Sequence, residues 1–187
     1  MTRRRTSISW DDLKRDAGYL AEELLAFKGL VEWIPFAERP LGQESIADML
    51  VSVQKIQQET IIPLLSEWQQ TLSGGTPIYG SQALRELVFS EDSDHRNKAE
   101  SVFPSAEGSV QEGAESVLEL LDHLIAARRE IMDMLHLDNG DIDEKRIILH
   151  GHAISLSEVV QSMIRFERSE LRKIGKQIQA METDRRG

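Results

Sequence analysis

The chain has 187 residues, a net charge of −10 and no cysteine. That length supports one domain with a real core, and the acidity argues against nucleic acid as the main partner. The missing thiols exclude disulfides, thiolate metal sites and a cysteine nucleophile.

No apolar run approaches a membrane span and no signal peptide is visible, so the expectation is a cytoplasmic protein that stays off the membrane. Arginines cluster at both ends (Arg3, Arg4, Arg5; Arg185, Arg186) and read as solvated tails. Aromatics are few at 5%, which favours helices over sheets.

The first helix is predicted from about Ser9 to Glu32. Ser9 supplies an N-cap, with Asp11 and Asp12 in the positively polarised first turn. Trp10, Leu13, Ala17, Leu20, Leu24, Phe27, Val31 and Ile34 step by three and four, as in a helix packed along its whole length. Pro35 and Pro40 bound a short connection. The second helix starts at Ser45, which with Asp48 resembles a capping box. Its inward stripe is Ile46, Met49, Val53, Ile56, Thr60 and Leu64. Pro63 lies inside that pattern, so a kink or break is expected near Glu59 to Ile62.

From Ser73 to about Gly108 the periodicity weakens, apart from a short helix over Ser81 to Phe89. A polar connection this long suits an overhand crossover between helices two and three. The third helix is predicted from about Ser109 to His136, with Val110, Ala114, Val117, Leu121, Leu124, Arg128, Met132 and Leu135 on one stripe. Arg128 is a fixed cation where the period calls for leucine. A loop carrying Asn139-Gly140 and the pair His150 and His152 follows. The fourth helix runs from Ser155 to Met181, capped by Ser155 and Glu158. Val160, Ile164, Leu171, Ile174, Ile178 and Met181 form its stripe. Glu167 breaks that stripe, and Glu170 breaks a second one of Val159, Met163, Phe166 and Ile174.

The sequence lacks the common metal- and phosphate-binding motifs. The acidic loops Asp92 to Asn97 and Asp138 to Glu144 lack EF-hand spacing, with Phe103 and Leu149 at the closing position. A carboxylate di-iron bundle needs Glu-x-x-His twice, and only Asp133 to His136 comes near it. Gly74-Gly75 lacks a phosphate loop's strand and lysine. None of the five histidines forms an i, i+4 pair on a helix, and His123 reads as a surface or packing residue. Arg128, Glu167 and Glu170 carry more weight together. Inward-facing charges need a counter-charge, a metal, a proton or water. An internal ion pair without activity is the simplest reading, and a catalytic role is the alternative.

Two segments resemble the DinB-like superfamily of four-helix bundles. PLGQESIADMLVSV is similar to that family's entry into helix two, and ISLSEVVQSMIRFERSELRKIGKQI to its last helix. LLDHLIAARREIMDML is similar to its third helix. The resemblance spans about Ser9 to Met181. It implies one all-α domain over 1–187, a four-helix bundle over about 9–182. The bundle would run up-down-down-up, with a long crossover between helices two and three. It also implies a homodimer.

The family's metal sits on three histidines, and the matching positions here are Ser52, Phe166 and Glu170. A hydroxyl is a poor transition-metal ligand and a phenyl ring is none. The resemblance therefore implies a member that has lost its metal. Ser52, Glu59, Arg128, Phe166, Glu167 and Glu170 are then candidates for a polar pocket with room for a small molecule. In that cluster Arg128 reaches Glu170 or Glu167, with Ser52 close by. One alternative is a thiol-cofactor transferase or hydrolase using a weakly bound divalent ion on Glu170 with Glu167 or Glu59. Another is a dimeric, stress-associated interaction module with an exposed apolar patch on helix one or two.

Overall fold

The computed structural model describes residues 9–39, 43–71, 78–89, 114–136, 146–149 and 151–186. These are mostly helical. Helix α1 (Trp10–Lys28) begins on Ser9, whose hydroxyl accepts from the Asp12 N–H at 3.1 Å. Its predicted stripe turns inward: Leu13, Ala17, Leu20 and Leu24 are buried, as are Val31 and Ile34 in the turns that follow. The helix closes at Gly29, earlier than the periodicity suggests.

Ser45 caps α2 (Ile46–Lys55) through the expected capping box. The Ser45 hydroxyl accepts from the Asp48 N–H, and the Asp48 carboxylate accepts from the Ser45 N–H, both at 3.0 Å. Arg39 adds a two-pronged grip on the same carboxylate, with both contacts at 2.9 Å. Burial works against ionisation of Asp48, yet the bonds from Arg39 and Ser45 outweigh it and hold the carboxyl below its usual range. The approach to α2 is thereby pinned to its first turn.

The helix does not break before Pro63. It widens into a π segment (Ile56–Ile61) and continues as α3 (Ile62–Thr71). The proline has no N–H, and its ring would crowd the carbonyl four residues back, at Glu59. Widening relieves both conflicts: the Ile62 N–H donates five residues back, to the Gln57 carbonyl. The predicted irregularity is therefore present, as an extra residue in the turn.

A short strand β1 (Ile78–Tyr79) precedes α4 (Gln82–Phe89), and α5 spans Ala114–His136. Residues 72–77, 90–113, 137–145 and 150, which include most of the predicted Ser73–Gly108 crossover, the predicted start of helix three, the Asn139-Gly140 turn and His150, lie outside the described residues. The segment expected to be a loop around His152 forms a hairpin instead, from β2 (Ile147–Leu149) and β3 (His152–Ile154). Leu149 pairs with His152, and Gly151 takes a φ of 84°, which suits glycine in so tight a turn. β1 adds to β2 in parallel, giving a sheet in the order β1-β2-β3. A Cβ at Gly80 would collide with Leu149 and Leu84, so glycine there lets the sheet close onto α4. These strands are only two or three residues long, and the described residues remain mostly helical, in keeping with the all-α expectation.

The last helix, α6 (Leu156–Arg186), starts on a capping box in which the Ser155 N–H donates to Glu158 at 2.8 Å and the Glu158 N–H to the Ser155 hydroxyl at 3.2 Å. Helices α1 and α2 each pack against both α5 and α6. The core between them falls into two apolar clusters. One joins Leu13, Ile61, Leu64, Trp68, Leu135 and Val160 with the sheet and α4. The other joins Leu24, Phe36, Leu50, Val53, Leu121 and Ile174. Among the described residues, no helix is long and apolar enough to cross a membrane.

Candidate functional site

The boundary between the two apolar clusters is polar. On α5, Arg128 lies between Ile125 of one cluster and Ile131 of the other. On α6, Glu167 lies between Ile164 and Ile174, and in the π segment Gln57 lies just past Val53 and Ile56. All three are deeply buried: Gln57 and Arg128 are 0% exposed and Glu167 is 3% exposed. The helical period places each of them on an apolar face, which is why they meet.

Arg128 donates through Nη2 to Glu167 Oε1, and Gln57 Nε2 donates to the same oxygen at 3.2 Å. Arg128 Nη1 lies 3.7 Å from the Met163 sulfur, a weak acceptor. The carboxylate thus draws a charge-assisted bond from α5 and an amide bond from the π segment, joining three helical elements at one atom. Gln57 must present its amide nitrogen to the anion, so its carbonyl oxygen points elsewhere. That oxygen and Arg128 Nε are both buried without a protein partner.

Burial pushes the Glu167 carboxyl above its usual range, and Arg128 and the Gln57 hydrogen bond pull it back only in part. The direction follows from the environment, since a charge far from water costs several kcal/mol to desolvate, an order-of-magnitude figure that one cation in good geometry offsets incompletely. The arrangement can hold a buried charge pair and present one spare donor and one spare acceptor.

The other candidate residues go elsewhere. Glu170 is buried, yet it accepts from Lys173 on its own helix at 2.7 Å, and that lysine is half exposed. Of the two carboxylates offered to Arg128, the structure therefore selects Glu167. The Ser52 hydroxyl donates back to the Asp48 carbonyl at 3.1 Å, within its own helix. Glu59 is exposed on the π segment. Phe166 is half buried and packs against both apolar clusters. Among the described residues, no three of His, Cys, Asp and Glu converge in a way that could hold a metal ion. His123 is exposed, and His136 Nδ1 lies 2.6 Å from the Met132 carbonyl one turn back.

Gln57 is the residue that sequence reasoning missed. It sits four residues after Val53 and four before Ile61, both buried, so it interrupts a stripe as Arg128 and Glu167 do. That interruption was the available signal. Compared with protein-family models, with curated protein sequences and with solved structures, the chain matches none.

Proposed function

We propose that this chain is a DinB-like four-helix bundle, running up-down-down-up, that works as a non-catalytic binding or structural protein. In this reading a buried polar layer stands in place of a metal centre. The observation that carries it is the commitment of Glu167 Oε1 to Arg128 and Gln57. A carboxylate held by a guanidinium is a poor offer to a divalent ion, which would have to displace that cation. The three positions that match the family's ligands give further support. Ser52 is turned to its own backbone, Phe166 is apolar, and Glu170 is paired with Lys173. The spare groups Arg128 Nε and Gln57 Oε1 are what a small polar ligand would engage.

The test is the metal content of protein purified without chelator. Well under one transition-metal ion per chain is expected. A stoichiometric metal that is lost in Glu170→Ala would replace this reading with the carboxylate metalloenzyme.

One observation favours a second reading, that of an interaction module. Tyr19 and Leu25 on α1 are each 51% exposed, and Trp33 just beyond it is 69% exposed. Large apolar side chains left this exposed on and just past one helix are candidate points of contact for a partner. Light scattering across a dilution series, with Leu25→Asp as the variant, tests it. A dimer that Leu25→Asp dissolves supports the module, and a monomer at every concentration removes self-association from it.

A further inference from the structure

The periodicity that turns Glu167 and Glu170 inward also leaves the middle of α6's outer face without a carboxylate, the exposed Glu158 and Glu182 lying toward its two ends. Among the described residues from Val159 to Met181, no carboxylate is exposed, while Arg165, Arg168, Arg172, Lys173 and Lys176 all are. Steps of three and four residues bring Arg165, Arg168, Arg172 and Lys176 onto one narrow arc. They form a ridge roughly 16 Å long. In a chain of net charge −10, such a one-signed ridge is a local reversal of the molecule's field. Arg168 already meets Asp16 of α1 at 3.0 Å, and Lys173 meets Glu170, yet both cations keep about half their side-chain surface in solvent.

An apolar notch runs beside the ridge. Gly175 is exposed, and a β-carbon there would touch nothing within 4 Å. Leu171 and Ile178 flank it on the same face, each half buried against the core. Exposed ion pairs contribute little one by one, so charge alone would not hold a partner in place. A row of cations beside an open apolar notch offers both the steering and the anchor.

We propose that the outer face of α6 docks an acidic amphipathic helix of a partner protein. Carboxylates spaced three and four residues apart on that helix meet Arg168, Arg172 and Lys176. An apolar side chain from its adjoining stripe seats over Gly175, between Leu171 and Ile178. The length of the ridge matches a helix of about three turns. A nucleic acid strand or an anionic bilayer would extend past the ridge into the field of an acidic protein, so a short helix is the better fit.

The test uses the full chain and a fluorescently labelled, helix-stabilised peptide of about sixteen residues. Its glutamates lie on one face, with leucines on the neighbouring stripe. A control peptide has the same composition with the glutamates spread around the helix. The patterned peptide is expected to bind about tenfold more tightly than the control, and to weaken as salt is raised. Arg172→Ala with Lys176→Ala, checked for an unchanged fold by circular dichroism, should weaken it about tenfold. Gly175→Val, which fills the notch without a clash, should weaken it by a similar factor. Equal binding of the two peptides, indifference to these substitutions, or equally tight binding of single-stranded DNA or anionic vesicles would overturn the proposal. So would salt-sensitive self-association through the same residues, which would make the occupant a second copy of the chain.

Discussion

Glu167 and Glu170 lie one turn apart on the same helix, and both are buried, yet their surroundings differ completely. Glu167 is answered across the interior by Arg128 and Gln57, from two other helical elements. Glu170 is answered from its own helix by Lys173, at the edge of the core. Burial of the carboxylate does not separate them, since they are 3% and 5% exposed. What separates them is the exposure of the cation: Arg128 is sealed, whereas Lys173 keeps 55% of its side-chain surface in solvent. One pair belongs to the core and couples helices, while the other is a local pair that water can replace.

The largest effect expected from this contrast is at Arg128. Arg128→Met leaves Glu167 buried with only an amide partner, and should lower unfolding free energy in urea by about 3–5 kcal/mol. A loss below about 1 kcal/mol would mean that the carboxylate reaches water, and the contrast would collapse.

The pH dependence should come next in size. The folded Glu167 carboxyl holds its proton to higher pH than the unfolded one, because burial raises it. In the window from the ordinary carboxylate value of about 4.3 upward, the folded state therefore binds more protons. Raising pH through that window removes stability through this group. Wild-type stability measured relative to Glu167→Gln should accordingly fall as pH rises from about 4 to 7. A difference that rises instead would show that Arg128 outweighs desolvation.

The smallest effect is expected at Lys173. Lys173→Met should change stability by less than about 1 kcal/mol, as for other solvent-exposed pairs. A loss comparable to that of Arg128→Met would make the two carboxylates equivalent.

The helices and their starts were legible because their signals are local. Ser9, Ser45 and Ser155 cap where the sequence places them, and the stripes of α1 and α2 turn inward residue by residue. Arg128 and Glu167 were visible as breaks in apolar stripes, and the buried pair they form was among the readings. The hairpin was not, since three-residue strands such as Ile147–Leu149 carry no periodicity that separates them from a loop. Gln57 escaped because the stripe through Val53, Ile56 and Thr60 is unbroken, and the neighbouring one through Val53 and Ile61, which Gln57 interrupts, is shorter. Lys173 was overlooked for the opposite reason. It answers Glu170 from three residues along the same helix and not from across the core.

Arg128 and Glu167 act as one unit inside the core. A double-mutant cycle of Arg128→Met and Glu167→Leu tests it most directly, through unfolding free energies of the wild type, both single variants and the double variant. Each single change should cost several kcal/mol, and the double variant, with an apolar pair in the layer, should recover most of that loss, giving a coupling of about 3 kcal/mol or more. Additive losses, with a coupling within about 0.5 kcal/mol of zero, would contradict it.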